Sequence, residues 1–192
     1  MHFPTCFVAF LACTASTAAS PLTPRQTSLE DWQVSSVSVF TPSGRPASYP
    51  WATIRANVTD PNEIHLGNSS SDGSPVVVPG GSQGLNCEAK WFTKGESPLD
   101  RTWPCDATSD GYWVMRVQKG TAETGFSSTN FNLTFTHVAD TLYRGEQYTA
   151  SFQAQGHFEV GGNMQGTCGG SGVCSWGLKQ ESRPVRITPV KA

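Results

Sequence analysis

The sequence is poor in charged residues and has no long apolar run. Charged residues make up 15% of the chain and the formal net charge is −2, so there is no basic field of the kind that holds nucleic acid. The apolar stretch CFVAFLA near the start falls well short of the roughly 20 residues that a membrane-spanning helix needs, and no later segment comes closer. We therefore expect neither a nucleic-acid partner nor a membrane anchor.

Helical periodicity is missing too, whereas apolar and polar residues alternate along many segments. In WATIRANVT every second residue from Ala52 to Val58 is apolar, which predicts a half-buried strand. In WQVSSVSVF the apolar positions change phase between Val34 and Val37, which indicates a β-bulge. About seven such strands predict an all-β fold, a single antiparallel β-barrel or sandwich stapled by disulfides. The other predicted strands are LNCEAKWF, YWVMRVQ, FNLTFTH, YTASFQAQ and VRITPV.

Composition divides the chain into a leader and one domain. MHFPT, CFVAFLA and CTASTAAS have the order of a secretory signal peptide, which we place at residues 1–20. A propeptide-like or flexible segment follows at 21–31, and residues 32–192 form a single β domain with a core of its own. Within it, the Gly-, Ser- and Pro-rich stretch 61–84 is predicted to be a long polar loop. The protein is thus expected to be secreted and extracellular.

Four of the six cysteines lie beyond the predicted signal peptide. Cys87, Cys105, Cys168 and Cys174 are an even number, which predicts two disulfides in an oxidising compartment. They allow three connectivities, of which we favour the sequential one. A zinc site has less support, because Cys168 and Cys174 have C-x5-C spacing and no histidine beside them.

One short motif points to enzymatic chemistry. Gly80, Ser82 and Gly84 match the G-x-S-x-G pattern around the nucleophilic serine of secreted esterases. That motif needs a sharp turn from a strand into a helix, because the helix N-terminus and the next backbone N–H stabilise the oxyanion. Here the following residues, QGLNCEAKWF, alternate like a strand. A serine esterase using Ser82 therefore remains only an alternative, and no catalytic residue is assigned.

The other titratable residues form no catalytic or metal motif. His65, His137 and His157 lack H-x-H or H-E-x-x-H spacing, and we expect them to be ordinary surface or strand-end residues. Sequence spacing does not place two carboxylates at the separation that glycoside hydrolysis requires. The sequence thus predicts no enzyme, no metal and no cofactor. The carboxylates considered are Glu88, Asp100, Asp106, Asp110 and Glu159.

Six tryptophans are many for a chain of this size. Trp91 and Trp113 fall on apolar strand faces and are expected in the core. Trp51 opens its strand on the polar face and Trp176 follows the last cysteine, so these two are the candidates for exposure. Exposed rings in a flat row would stack on sugars, which leaves an extracellular carbohydrate-binding or cell-wall-associated protein as a second interpretation.

Three sequons make the protein a candidate glycoprotein. They begin at Asn57, Asn68 and Asn132, and Asn57 and Asn132 fall on the polar faces of their strands, where a glycan would be tolerated. We expect a glycan on at least one of them.

The serial order of these features resembles the family of the Alternaria major allergen, small secreted fungal β-barrel proteins that include elicitors of plant cell death. The resemblance covers nearly the whole mature chain. In that family the internal disulfides join neighbouring cysteines, which implies Cys87 with Cys105 and Cys168 with Cys174 here. The matching segments, in order, are WQVSSVSVF, TPSGRPASY, NCEAKW, WPC, GYWVMRV, CGGSGVC and RITPV.

The chain departs from the family pattern in two places. The allergen has an additional N-terminal cysteine that links two barrels, and the mature chain has no spare cysteine, so we expect no covalent dimer. The stretch 61–84 is also longer than the family pattern. The resemblance implies a non-catalytic effector or elicitor that binds a host extracellular defence protein or a small aromatic ligand at the plant–fungus interface.

Overall fold

The computed structural model describes residues 29–121 and 125–192. The predicted signal peptide (1–20) and most of the predicted flexible segment (21–31) lie outside these residues. The described part contains one short 3-10 helix, Gln180–Ser182, and no helix that is long and apolar enough to span a bilayer. Its strands are β1 (Trp32–Thr41), β2 (Trp51–Asp60), β3 (Ile64–Asn68), β4 (Pro75–Val78), β5 (Ser82–Phe92), β6 (Thr102–Pro104), β7 (Gly111–Lys119), β8 (Asn130–Tyr143), β9 (Glu146–Glu159), β10 (Met164–Cys168), β11 (Cys174–Leu178), β12 (Val185–Ile187) and β13 (Val190–Lys191).

Most strands belong to two antiparallel sheets. The first sheet has six strands in the order β10-β11-β1-β2-β5, with β12 paired to another part of β1. The second has five strands in the order β13-β9-β8-β7-β6, and β3 pairs with β4 alone. Among the described residues the two large sheets share no strand pairing and pack around one hydrophobic core. The all-β prediction is therefore confirmed in its sandwich form, and the fold is not a closed barrel.

Alternation along the strands fills the space between the sheets. From β2, every second residue from Ala52 to Val58 is buried, as predicted. The register shift between Val34 and Ser36 in the β1–β2 pairing confirms the predicted β-bulge. Removing this apolar surface from water is the main force that holds the sheets together. The inward residues of β7 and β8 are also buried as predicted: Trp113, Met115, Val117, Phe131, Leu133 and Phe135.

One predicted inward residue is wrong, and a second bulge explains why. Leu85 is exposed, although simple alternation groups it with Cys87. The pairing of β2 with β5 shifts between Ala56 and Val58, and Asn86 has a positive φ of 49°. A bulge adds one residue to a strand, so it turns the side chains before it to the opposite face.

The predicted polar loop 61–84 is also wrong, because most of it is a β-hairpin. Strands β3 and β4 form this hairpin between β2 and β5. Ile64 and Val78 are buried against Ala139 in a small second core, where Ala150 and Phe152 also pack. These contacts lie at the end of the β8–β9 pair, so the hairpin covers the part of that pair that extends past the first sheet.

Polar contacts fix the tip of the hairpin to the turn between β8 and β9. The Ser70 hydroxyl donates a hydrogen bond to the Glu146 carboxylate, and the Tyr148 hydroxyl donates to the other oxygen of Glu146 at 2.6 Å. Arg144 forms an ion pair with Asp72 at 3.0 Å. The hairpin is therefore anchored by apolar contacts near its base and by polar contacts at its tip.

Both carboxylates at this tip are stabilised in their charged forms. The hydrogen bond from the Ser74 backbone N–H lowers the pKa of the Asp72 carboxyl. The hydrogen bond from the Ser70 hydroxyl lowers the pKa of the Glu146 carboxyl in the same way. Docking of the hairpin thus favours the ionised Glu146 carboxylate, whereas Asp72 is stabilised mainly within its own turn.

The two disulfides are Cys87–Cys105 and Cys168–Cys174, so the sequential pairing is confirmed. The first joins the edge strand β5 to the end of β6, and the second closes the turn between β10 and β11. Disulfides of this kind are typical of proteins that fold in an oxidising compartment, which is consistent with an extracellular location.

Candidate functional site

Ser82, the candidate nucleophile, lies in the interior at the start of β5. Its hydroxyl oxygen accepts a hydrogen bond from the Trp113 indole N–H at 3.1 Å. Its strand continues for eleven residues, so Ser82 is not on a turn from a strand into a helix. Gly80 is explained by close backbone packing, because a Cβ at this position would stand 2.4 Å from the Pro61 carbonyl oxygen. The structure therefore gives Ser82 a partner in the core.

A buried hydrogen-bonded pair of Asp60 and His137 lies beside Ser82. His137 Nδ1 and Asp60 Oδ2 are 3.0 Å apart, and the side chains are 0% and 2% exposed. The other oxygen of Asp60 accepts hydrogen bonds from the Asn62 backbone N–H and side-chain amide at 2.8 and 2.7 Å. The expectation that His137 is an ordinary surface or strand-end residue is wrong, because alternation from Phe135 turns it into the core.

These residues form a square that joins the two sheets, which we call the buried polar cluster (Asp60, Ser82, Trp113 and His137). Asp60 lies opposite Ser82 in the first sheet, and Trp113 lies opposite His137 in the second. Each sheet thus contributes one partner to each of the two hydrogen bonds. The Trp113 and His137 rings stack with centroids 4.3 Å apart and planes 4° apart, and the Trp32 ring packs edge-on against Trp113 at 4.8 Å.

The buried polar cluster contains a serine, a histidine and an aspartate, but they are not linked as a catalytic relay. A relay needs a hydrogen bond between the serine hydroxyl and the histidine Nε2. Within the described residues, His137 Nε2 is buried without a hydrogen-bond partner, and Ser82 bonds to Trp113. In this geometry the cluster pairs polar groups between the sheets.

At the opposite end of the sandwich, a cleft of about 440 Å³ opens between the ends of β1, β2 and β5 and the segment before β8. Its inner surface is formed by side chains that the core holds in place, with Ala52, Trp91 and Pro98 all buried. The Phe126 ring, half-buried, meets Trp91 edge to face at a centroid distance of 5.3 Å. We call this the end cleft; its main lining residues are Thr41, Ala52, Trp91, Glu96, Pro98 and Phe126.

One carboxylate stands at the rim of the end cleft. Glu96 accepts a hydrogen bond from Arg101 at 3.2 Å, and the Arg101 guanidinium in turn lies over the Trp103 ring at 4.4 Å. The remaining rim groups are hydroxyls from Thr93, Ser97 and Ser128. The end cleft therefore combines an aromatic interior with hydrogen-bonding groups at its mouth, the usual composition of a small-molecule site.

The two tryptophans considered for sugar stacking, Trp51 and Trp176, are both half-buried. Trp51 is half-buried on the outer face of the first sheet, and its ring meets Phe92 at an angle of 68° with centroids 5.6 Å apart. Trp176 is half-buried against the core with its indole nitrogen buried, so, like Trp51, it is only partly exposed. Trp91 and Trp113 are in the core as predicted.

The three sequons differ in their surroundings. Asn68 is exposed at the end of β3. Asn57 accepts a hydrogen bond from the Asn86 backbone N–H at 2.8 Å, and Asn132 donates from its amide to the Lys119 carbonyl at 2.8 Å. Because a glycan attaches to the side-chain amide nitrogen, the Lys119 contact disfavours Asn132, whereas the contact of Asn57 uses only its oxygen and leaves Asn57 and Asn68 as candidates.

Of the other sequence candidates, Asp106 and Asp110 lie together near the start of β5, and several others lie apart on the surface. His65 lies 3.1 Å from Glu63, His157 shares a hydrogen bond with Asn132, and Glu88 accepts one from Arg55 at 3.2 Å. In residues 29–121 and 125–192, no group of three or more His, Cys, Asp or Glu side chains is placed to hold a metal ion.

Fold and site together define a disulfide-stabilised β-sandwich with a ligand-sized cleft at one end. No family model matches the chain, and no curated protein and no solved structure is similar to it. Membership of the Alternaria allergen family therefore stays a prediction.

Proposed function

We propose that this chain is a secreted, non-catalytic binding protein that takes a small aromatic ligand in the end cleft and acts as an effector or elicitor at the plant–fungus interface. The observation that carries the proposal is the aromatic interior of the end cleft, with Trp91 and Phe126 edge to face. The predicted signal peptide and the two disulfides support secretion. The resemblance to the Alternaria allergen family supports the effector role.

The size of the end cleft favours a ligand of one or two rings. Its volume of about 440 Å³ lies at the lower end of the range of small-molecule sites. Trp91 and Pro98 are buried and support the wall from behind, and the half-buried Phe126 ring is the apolar surface that a ligand can contact. Binding then costs little ordering of side chains, which favours affinity.

The rim favours a ligand that carries a hydrogen-bond donor. Glu96 is the rim carboxylate, and Arg101 occupies one of its oxygens at 3.2 Å. A hydroxyl on an aromatic ring can donate to the other oxygen while the ring packs against Phe126. Phenols of one or two rings meet both requirements.

The test is isothermal titration calorimetry with 2-naphthol, and with decahydro-2-naphthol as a probe of the same skeleton without aromatic rings. We expect saturable binding of 2-naphthol and binding of the saturated alcohol that is weaker by about tenfold, because ring contacts contribute about 0.5–1.5 kcal/mol beyond the buried area. Phe126→Ala should weaken 2-naphthol binding at least about tenfold. The matched control is Phe92→Ala on the outer face, which should leave binding unchanged. Equal affinity for both probes, or an unchanged Phe126→Ala variant, would contradict the proposal.

The effector role needs a separate test on leaves. The purified protein with intact disulfides is infiltrated beside a reduced, heated sample, and cell death and reactive oxygen are scored. A response that depends on the intact fold supports an elicitor, with a host extracellular protein as its further partner. No response from the intact protein would argue against that role and leave ligand binding as the only part of the proposal standing.

The esterase alternative rests on Ser82 alone. A p-nitrophenyl ester assay separates it from the binding proposal. Turnover that Ser82→Ala abolishes would favour the esterase, whereas the hydrogen bond with Trp113 supports a structural role for this serine.

The carbohydrate-binding alternative, in the form suggested by the tryptophans, predicts adsorption to insoluble polysaccharides. A pull-down on cellulose and chitin that leaves all protein in the supernatant would remove it. The tilt between the Trp51 and Phe92 rings disfavours it, because sugar stacking on a polysaccharide surface needs coplanar rings.

A further inference from the structure

A second cleft lies at the other end of β5, about 30 Å along the strand from the end cleft. Its volume is about 340 Å³. One wall is the turn into β5, residues 79–83 together with Leu85, and the other wall is the segment 106–110 between β6 and β7. We call it the polar cleft.

The walls of the polar cleft are fixed to each other. The disulfide Cys87–Cys105 joins the chain next to each wall, and the Asp106 backbone N–H donates to the Leu85 carbonyl at 2.8 Å. The Asn86 side-chain amide donates to the Asp106 carboxylate at 2.7 Å. The far end of the second wall is held because the Asp140 backbone N–H donates to the Asp110 carbonyl at 3.0 Å. A site with such walls is formed before a ligand arrives.

Asn86 is in an uncommon conformation that serves this arrangement. Its φ of 49° lies in the left-handed region, which asparagine tolerates better than most residues. The Asn57 side chain accepts a hydrogen bond from the Asn86 backbone N–H at 2.8 Å and stabilises the conformation. The bulge therefore aims the Asn86 amide at Asp106 and turns Leu85 out to the cleft.

The polar cleft offers both donors and acceptors of hydrogen bonds. Asn86 engages one oxygen of Asp106, so the second oxygen can accept. The Thr108 hydroxyl donates to the Gly111 carbonyl at 2.7 Å, which leaves the lone pairs of Thr108 as acceptors. Gln83 adds an exposed amide with both functions.

Charge narrows the class of ligand. Asp106 and Asp110 line the polar cleft, and none of its lining residues is Lys, Arg or His, so an anionic ligand would be repelled. The described residues provide no group of three acidic, His or Cys side chains for a metal ion. A neutral ligand with several hydroxyl groups matches the mixture of carboxylate, amide and hydroxyl groups.

We propose that the polar cleft binds a neutral sugar residue of a glycan through hydrogen bonds. This site shares no residue with the end cleft, so it goes beyond the proposed function and does not depend on it. It also differs from the tryptophan interpretation, because recognition here uses the edges of the sugar and not its face.

The test is calorimetric titration with four neutral oligosaccharides: cellohexaose, chitohexaose, mannohexaose and xylohexaose. We expect saturable binding of at least one of them. Asp106→Ala should weaken that binding about tenfold or more, because hydrogen bonds to charged groups are the strong ones. Gln83→Ala removes an exposed side chain without threatening the fold and should weaken it severalfold. Glu181→Ala, which removes an exposed carboxylate in the 3-10 helix, is the matched control and should leave it unchanged.

Three results would overturn the inference. The first is no heat of binding with any of the four sugars. The second is binding that Trp51→Ala abolishes and both cleft variants leave intact. The third is binding of calcium, tested as the chloride, that is lost in Asp106→Ala while no sugar binds. Phe126→Ala should retain sugar binding, which separates this inference from the proposal for the end cleft.

Discussion

The two ends of the sandwich are built from the same strands but present different chemistry. At one end, β2 and β5 contribute Ala52 and Trp91 to an apolar cleft. At the other end, the same two strands contribute Asp60 and Ser82 to the buried polar cluster. Alternation fixes which residues face inward along a strand. The chemistry of each end is set by the last inward residues before the chain turns.

The polar end is also where the chain leaves the sandwich. Between Asp60 and Ser82 it forms the β3–β4 hairpin, and the Gly81 N–H donates back to the Asp60 carbonyl at 2.8 Å where the chain returns. At the apolar end β2 begins and β5 ends, so the chain makes no connection between these two strands there. The buried polar cluster thus fixes the two sheets to each other at the point where the hairpin departs.

The largest effect should come from breaking the buried hydrogen bond between Asp60 and His137 at the polar end. Asp60→Ala leaves His137 buried without its partner and should cost about 3–5 kcal/mol of the free energy of unfolding. Asp60→Asn keeps a hydrogen-bond acceptor and should cost less. The measurement is chemical unfolding followed by tryptophan fluorescence.

The matched change at the apolar end is Glu96→Ala. Its ion pair with Arg101 is exposed, so the loss should be no more than about 1 kcal/mol. Equal losses of unfolding free energy for Asp60→Ala and Glu96→Ala would contradict the claim that only the polar end is held by a buried polar contact.

The two disulfides should differ in the same assay. Cys87→Ala/Cys105→Ala opens a connection across 18 residues and should cost about 3 kcal/mol, whereas Cys168→Ala/Cys174→Ala opens one across 6 residues and should cost about 2 kcal/mol. Loss of the first should also loosen the polar cleft and leave 2-naphthol binding at the end cleft intact. An unchanged melting temperature without Cys87–Cys105 would refute its role in stability.

A smaller loss is expected for Ser82→Ala, which leaves the Trp113 indole N–H buried without an acceptor. The cost should be about 1–3 kcal/mol in chemical unfolding. Ser97→Ala, an exposed serine at the end cleft, is the control and should change stability by less than about 0.5 kcal/mol. If Ser82→Ala is as stable as Ser97→Ala, the hydrogen bond to Trp113 does not hold the sheets.

The smallest effect should be the pH dependence of hairpin docking. Folding lowers the pKa of Asp72 and Glu146, so their contribution is present above the ordinary carboxyl pKa of about 4 and is lost as the pH falls through the lowered values. The protection of backbone amides against hydrogen exchange, relative to their intrinsic rates, should therefore fall in β3 and β4 at acid pH before it does in β2 and β8. Ser70→Ala should reduce this difference, and uniform exchange across all strands would contradict it.

Most of the sandwich could be predicted from the sequence, because alternation is a local property that burial on one face imposes. The same rule could have found two residues that were missed. Asp60 continues the inward series of β2 from Ala52, and His137 continues that of β8 from Phe131. His137 was assigned to the surface by its residue type and Asp60 was not considered, although polar residues are buried where the facing sheet supplies a hydrogen-bond partner.

The hairpin and the clefts were harder to predict. The stretch 61–84 contains an Asp-Gly pair, Asp72-Gly73, between short apolar runs. This pattern is typical of a β-hairpin, but the many serines led to the prediction of a loop. Leu85 was misplaced because a bulge moves the phase of a strand by one residue without changing its composition. The clefts join segments distant in the chain, such as Trp91 with Phe126, and pairing of this kind depends on the packing of the two sheets.

A two-dimensional NMR titration of the 15N-labelled protein with 2-naphthol tests the binding proposal most directly. Our proposal predicts saturable shifts of the Trp91 indole N–H and of the amides of Thr41, Ala52 and Phe126, with residues 79–83 and 106–110 unchanged. No saturable shifts, or shifts confined to the polar cleft, would contradict the assignment of the end cleft as the aromatic ligand site.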